Sequence, residues 1–147
     1  MNRLLRLRPL WTWVMYITLD VLCIGMGMGV PIFCILFGLP VGWYIVRRLI
    51  DRGLELGQVL RLAWKYAFLT AAVTLAGMVL LWGRAAGLLF DPAYDLANFG
   101  MPLILYEPRA SFIGWLVLMM FISPFLQLLM TLFGAYWTLL CWQAGQT

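Results

Sequence analysis

An apolar run of 37 residues, from Leu10 to Val46, limits how this chain can fold. As one straight helix the run would be about 55 Å long, whereas the hydrocarbon core of a bilayer is about 30 Å thick. The run must therefore break, and the stretch Gly27-Met28-Gly29-Val30-Pro31 favours a break, because glycine permits turns and proline can begin a helix. We predict two short spans, about 10–27 and 31–46, joined by a tight Gly/Pro hairpin.

The composition of the 147-residue chain indicates an integral membrane protein with a single membrane domain. Its residues are 65% hydrophobic and 11% charged, whereas soluble domains carry about 25% charged residues. The sequence has no histidine, and its three cysteines lie in apolar segments without CxxC spacing. This disfavours haem or zinc sites built on histidine and histidine acid–base catalysis. We expect no metal site and no cofactor, and contact with a lipid or a pigment stays open.

Clusters of arginine on both sides of the first apolar run favour a hairpin over a single kinked crossing. Three precede the run and three follow it: Arg3, Arg6, Arg8, Arg47, Arg48 and Arg52. The positive-inside rule places both clusters in the cytoplasm, which requires two crossings. With four crossings, only Arg84 and Arg109 of the ten cations lie outside. We expect both termini to be cytoplasmic, in a prokaryotic plasma membrane, and we expect no nucleic-acid partner because the cations form no single basic face.

Two further spans complete a predicted all-α, four-transmembrane-helix bundle. The third span covers about 64–83 and the fourth about 110–141, with a kink expected at Ser123-Pro124. Residues about 49–63 are loosely amphipathic. They predict an inner interfacial helix that either lies along the membrane surface or connects directly to the third span.

The outer segment, about 84–109, carries helix signals, acidic side chains and apolar residues. A short helix is predicted to start at Asp91-Pro92 and to stop at Gly100. Asp91, Asp95 and Glu107 form an acidic outer surface, which we interpret as a solvated face because a divalent cation usually needs about six or more oxygen ligands. The apolar stretch MPLIL, residues 101–105, predicts that the segment lies on the membrane or against a partner.

Asp20 is the strongest candidate for a functional group. It lies about 15 Å into the first span, where an ionisable side chain costs about 2.5–3.5 kcal/mol on insertion scales. On an ideal helix it shares a face with Tyr16, Cys23 and Gly27. Three roles are open: a structural residue that fixes helix register, an ion or proton site, and a contact to a partner subunit. The plausible partners of Asp20 at similar depth are Thr70, Thr74, Ser123 and Gln127, and Thr131 continues the polar stripe of Ser123 and Gln127 along the fourth span.

Small residues at helical spacing mark the surfaces on which the spans are expected to pack. They are Gly25, Gly29, Cys34, Gly38, Gly42 and Gly77. A small residue at every fourth position lets two helix backbones approach closely. We favour packing within the chain, and contact between copies of the chain is the alternative.

The sequence contains no catalytic constellation that we can identify, so we expect a protein that is not an enzyme. Small size, small-residue stripes and an apolar outer segment favour an accessory or structural subunit of a larger membrane protein complex. Its partners would be other transmembrane subunits or further copies of the chain, surrounded by membrane lipids. The alternative is a small homo-oligomeric transporter or channel, in which Asp20 and Gln127 line an ion or proton path. Asp20 distinguishes the two, because a subunit would close it off and a transporter would expose it to water.

Overall fold

The computed structural model describes residues 8–26, 31–98, 100 and 102–145, and every regular element within these ranges is a helix. The α-helices are α1 (Pro9–Met26), α2 (Ile32–Ile50), α3 (Leu56–Trp82), α4 (Pro108–Val117) and α5 (Ser123–Ala144). A π-helical segment, Leu118–Ile122, joins α4 to α5, and short 3-10 helices cover Gly83–Phe90 and Leu96–Asn98. The predicted all-α class is confirmed.

Three helical stretches are long and apolar enough to cross a membrane: Ile32–Ile50, Leu56–Phe90 and Pro108–Ala144. The remaining long helix, α1, is apolar but shorter. Four long helical stretches therefore occur close to the four predicted spans, and three of them have the length and composition that a membrane-spanning helix requires.

The register of side-chain contacts shows that α1 and α2 run antiparallel. Near the start of α1, the Thr12 hydroxyl lies 3.3 Å from the Tyr44 hydroxyl of α2. Two turns later along α1, Asp20 meets Cys34, which is at the beginning of α2. A single kinked crossing would not bring these residues together. The hairpin turn was predicted at Gly27 to Pro31, and residues 27–30 of it lie outside the described residues.

Glycines form the contact between α2 and α5, the most extensive helix pair. A Cβ atom added to Gly38 would lie 2.6 Å from the Gln127 carbonyl oxygen of α5, and additions to Gly42 and Gly134 would collide with the backbone of the opposite helix. Cys34 is fully buried one turn before Gly38. Two helix backbones can come this close only where side chains are small, so this stripe packs within the chain.

The other glycines that were predicted to pack against a neighbouring helix differ in whether they make a close contact. Gly77 of α3 lies near α1, with 3.2 Å between an added Cβ atom and Ile24 Cδ1. Gly25 is exposed, and an added Cβ atom would meet no described atom within 4 Å. Gly25 therefore makes no close helix contact with the described residues, and Gly29 lies outside them.

A π-helical segment lies just before Pro124, where a kink was predicted. Proline has no N–H group, and its ring collides with the carbonyl group four residues earlier, so it disrupts a regular α-helix. The helix widens over Leu118–Ile122, and the Leu118 carbonyl accepts hydrogen bonds from both the backbone N–H and the hydroxyl of Ser123, the latter at 2.6 Å. The hydroxyl of Ser123 thus gives the Leu118 carbonyl a second donor at this irregular turn.

The amphipathic segment about 49–63 does not form an interfacial helix of its own. The α2 helix continues to Ile50, a turn follows, and α3 runs without interruption from Leu56 to Trp82. The turn contains Gly53 at a φ of +71°, a left-handed conformation that ends helices and that glycine adopts easily. Residues 56–63 are thus the first turns of α3.

Gly42→Ala is expected to destabilise the fold, because the added methyl group has to displace the backbone of α5. Overpacking of this kind costs about 1–3 kcal/mol. Gly114→Ala is the matched control, since Gly114 also lies within a helix and an added Cβ atom meets no described atom within 4 Å. Thermal unfolding in detergent should show a lower melting temperature for Gly42→Ala alone. Equal melting temperatures for the two variants would contradict the close contact of α2 with α5.

Candidate functional site

A buried polar cluster centred on Asp20 joins α1, α2, α3 and α5. The Asp20 cluster consists of Tyr16, Asp20, Cys34, Thr70, Thr74 and Gln127, all of which are buried. Asp20 itself exposes 2% of its surface. Residues that lie up to 111 positions apart in the chain thus meet at one point inside the bundle.

The Asp20 carboxylate accepts three hydrogen bonds, one from each of the other helices in the cluster. The Thr74 hydroxyl donates at 2.8 Å, the Gln127 side-chain amide at 3.2 Å and the Cys34 thiol at 3.5 Å. These three donors are uncharged, and they supply the hydrogen bonds that a buried carboxylate needs. Among the buried side-chain oxygen and nitrogen atoms of the described residues, Gln127 Oε1 has no hydrogen-bond partner.

Tyr16 lies one helical turn before Asp20 and extends the cluster toward α3. Its hydroxyl donates to the Thr70 carbonyl oxygen at 2.9 Å and lies 3.1 Å from the Thr74 hydroxyl. Its ring stacks on Phe37 of α2, with 5.8 Å between the ring centroids. The sequence placed Tyr16 on the Asp20 face without identifying it as part of the site, and its spacing of four residues from Asp20 was the available signal.

The polar candidates from the sequence divide into two groups. Asp20, Thr74 and Gln127 bond to one another through side chains, and Thr70 contributes its backbone carbonyl. Ser123 and Thr131 are also buried, but their hydroxyls donate to carbonyl groups of their own helical stretch. Because hydroxyls often satisfy the backbone in this way, a polar stripe need not contribute every member to a shared site.

The acidic outer residues form local turn contacts instead of the predicted helix from Asp91 to Gly100. The Asp91 carboxylate accepts a hydrogen bond from the Ala93 N–H at 2.9 Å. Asp95 accepts from the Asn98 side chain at 2.6 Å and from the N–H of residue 97, and these bonds lower the pKa of the Asp95 carboxyl group. The short 3-10 helix at 96–98 begins directly after Asp95. Each aspartate accepts hydrogen bonds from N–H groups two and three residues later, so the segment forms two separate turns, at 91–94 and 95–98.

A cavity of about 330 Å³ lies beside the cluster, between α1, α2 and α3. Tyr16 and Thr70 line it, whereas Asp20 and Gln127 do not. Tyr16 and Thr70 therefore belong both to the cluster and to the cavity wall. Asp20 and Gln127 thus lie outside the wall of this cavity, whereas two other members of the cluster form part of it.

Comparisons with known proteins assign no family to this arrangement. No family model, curated protein or solved structure matches the chain. A functional assignment has to come from the geometry of the chain itself.

The effects of Asp20→Ala and Thr74→Val on stability are expected to be coupled, because each change removes the same hydrogen bond. Pairwise coupling of this kind in a membrane protein averages about 0.6 kcal/mol and reaches about 1.7 kcal/mol. The measurement is a double-mutant cycle of unfolding free energies in detergent.

The control for this cycle replaces Asp20→Ala by Thr18→Val. Thr18 lies on the same helix, is exposed, and donates its hydroxyl to the Val14 carbonyl of α1. Coupling between Thr18→Val and Thr74→Val should be near zero. The same near-zero value for the Asp20 and Thr74 pair would show that their hydrogen bond does not form.

Proposed function

We propose that this protein is a non-catalytic accessory or structural subunit of a larger membrane protein complex. In this proposal the chain crosses the membrane four times, with both termini in the cytoplasm. The 18-residue helix α1 would span about 27 Å, and local thinning of the bilayer accommodates a slightly short span.

The distribution of charge supports this orientation. The antiparallel contacts place the end of α2 and the beginning of α3 at one end of the bundle, together with the beginning of α1. The described cations of that end are Arg8, Arg47, Arg48, Arg52, Arg61 and Lys65. Arg84 and Arg109 flank the segment at the other end. An excess of cations on one side is the pattern of a cytoplasmic face.

The observation that carries the proposal is an apolar surface in the segment before α4. We define the outer patch as the four consecutive residues Leu103, Ile104, Leu105 and Tyr106. Leu103 is the least exposed of the four, at 44% of its surface, and Tyr106 is completely exposed. An exposed group of large apolar side chains outside the predicted spans is typical of a surface that binds a protein or a membrane.

The backbone of the outer patch is fixed to α4. The hydroxyl of the fully buried Ser111 accepts a hydrogen bond from the Ile104 N–H at 2.7 Å, and the Trp115 indole N–H donates to the Pro102 carbonyl at 3.0 Å. Glu107 caps α4 by accepting a bond from the Ala110 N–H. The patch therefore presents its side chains outward from a defined position, which lowers the entropy that a partner has to overcome.

The burial of Asp20 and Gln127 supports a structural role over the alternative of an ion or proton path. A path would need water beside Asp20 and Gln127, yet both side chains are buried and neither lines the neighbouring cavity. The hydrogen bonds of Asp20 instead connect helices, as expected of a residue that fixes helix register.

Replacing Leu103 and Leu105 with serine is expected to weaken binding of the partner by at least about 100-fold. Full burial of one leucine side chain contributes about 1.5 kcal/mol or more, and about 1.4 kcal/mol corresponds to a factor of ten. The hydrogen bonds that join Ile104 and Pro102 to α4 involve backbone atoms of these two residues and are left intact. Native mass spectrometry of the protein extracted in mild detergent measures the fraction in complex.

The matched control is Ala97→Ser, an exposed position of the same outer segment that lies outside the outer patch. It should leave the complex unchanged. A wild-type protein that is purely monomeric, or a serine variant that keeps its partner, would refute the proposed subunit role. A complex made of further copies of the chain would identify the partner as the protein itself.

Wild-type protein in proteoliposomes is expected to give no proton or cation flux above that of empty liposomes, since Asp20 is closed off. Asp20→Asn keeps the size of the side chain and removes its ionisable group, so it should behave like the wild type. Flux that the wild type supports and Asp20→Asn abolishes would establish the ion path instead.

A further inference from the structure

The cavity between α1, α2 and α3 has a basic end and an aromatic wall. Arg48 and Arg52 lie at the end formed by the beginning of α1 and the end of α2, and Phe37 lies at the opposite end. The aromatic residues that line it are Trp13, Tyr16, Phe37, Trp43, Tyr44 and Tyr66. No carboxylate occurs among the described residues that line the cavity. The cavity thus combines apolar surface with positive charge at one end.

The Arg48 guanidinium is held in a fixed position at the basic end. It donates hydrogen bonds to the Thr12 hydroxyl at 2.8 Å and to the Tyr44 hydroxyl at 2.9 Å, and it lies 5.9 Å from the centre of the Tyr44 ring. The preceding residue, Arg47, lies outside the cavity and pairs with Asp51 at 3.9 Å. The positive charge at the basic end of the cavity therefore comes from Arg48 and Arg52, and Arg52 is exposed.

The dimensions of the cavity match one leaflet of a bilayer. From Phe37 to Arg48 the α2 helix rises about 16 Å, which is about half of the 30 Å hydrocarbon thickness. The cavity volume of about 330 Å³ lies at the lower end of the range of about 300–1,000 Å³ for ligand pockets. A molecule with a charged group at the membrane surface and a chain reaching the middle of the bilayer fits this shape.

We propose that the cavity binds an anionic glycerophospholipid, with the phosphate at Arg48 and Arg52 and an acyl chain along the aromatic wall toward Phe37. Arginine matches phosphate through paired hydrogen bonds, and basic pockets between transmembrane helices recognise anionic headgroups. A zwitterionic lipid offers the same chain but a headgroup with no net charge. The site rests on the membrane orientation proposed above and is independent of any partner at the outer patch.

The test is a lipid titration of the delipidated full-length protein, followed by native mass spectrometry. Phosphatidylglycerol and phosphatidylcholine with identical acyl chains are the two ligands, and phosphatidylglycerol should bind more tightly. Arg52→Gln should weaken phosphatidylglycerol binding about fivefold, the effect expected of one arginine beside an anionic headgroup. Arg48→Gln should act in the same direction, and Arg47→Gln is the control that should leave binding unchanged.

A second variant tests the acyl chain separately from the charge. Val41 lines the apolar part of the cavity, so Val41→Trp should fill it and weaken binding of both lipids. Arg52 donates no side-chain hydrogen bond to a described residue, so Arg52→Gln decides the headgroup question even if Arg48→Gln unfolds the protein. Equal binding of the two lipids, an unaffected Arg52→Gln variant, or an equal loss in Arg47→Gln would overturn the proposal. Displacement of the lipid by millimolar inorganic phosphate would assign the site to a soluble anion instead.

Discussion

The hydrogen bonds of the Asp20 carboxylate hold α1 in its place, and the arrangement of the other helices around it follows from them. A carboxylate in an apolar bundle needs donors, because leaving it unpaired costs several kcal/mol or more. Its three donors come from α2, α3 and α5. Asp20 is therefore satisfied only when four helices meet in one register. A residue that is costly anywhere else in the bundle thus selects one arrangement among the many that apolar surfaces alone would allow.

The two long helices near the N-terminus are attached by different physical means, and the cavity follows from this difference. The contact of α2 with α5 relies on Gly38 and Gly42, which let the backbones meet. The buried residues of α1 are instead Tyr16, Asp20 and Ile24, whose side chains keep its backbone away from its neighbours. Hydrogen bonds fix α1 at the depth of Asp20, and a gap stays open toward the basic end of the bundle. The helices therefore have one defined register, and the gap at the basic end is the cavity between α1, α2 and α3.

The sequence predicted those features that depend on local patterns, and it could not predict those that depend on which surfaces meet. Apolar length and charge located the helices. Depth in the membrane gave Thr70, Thr74, Ser123 and Gln127 as candidate partners of Asp20, and Thr74 and Gln127 are the two of these that donate to it. Cys34 was not recognised as a donor to Asp20, because that contact depends on how α1 is rotated against α2. The same GxxxG spacing brought Gly38 into a backbone contact and left Gly25 exposed. Amphipathicity over 49–63 likewise could not show that Gly53 would end one helix and let the next begin immediately.

Tyr16 connects the Asp20 cluster to the cavity, and this gives the proposed lipid a structural role. The Tyr16 hydroxyl bonds to α3, while the same side chain lines the cavity and stacks on Phe37. An acyl chain against this pair would restore the dispersion contacts that α1 lacks on that side, since each close atom pair contributes about 0.1–0.2 kcal/mol and many such pairs form at once. The helix α1 would then be held by hydrogen bonds on one side and by lipid on the other. Loss of the lipid would leave α1 attached by the buried residues from Tyr16 to Ile24 and by the contacts of the Thr12 hydroxyl with Arg48 and Tyr44 of α2.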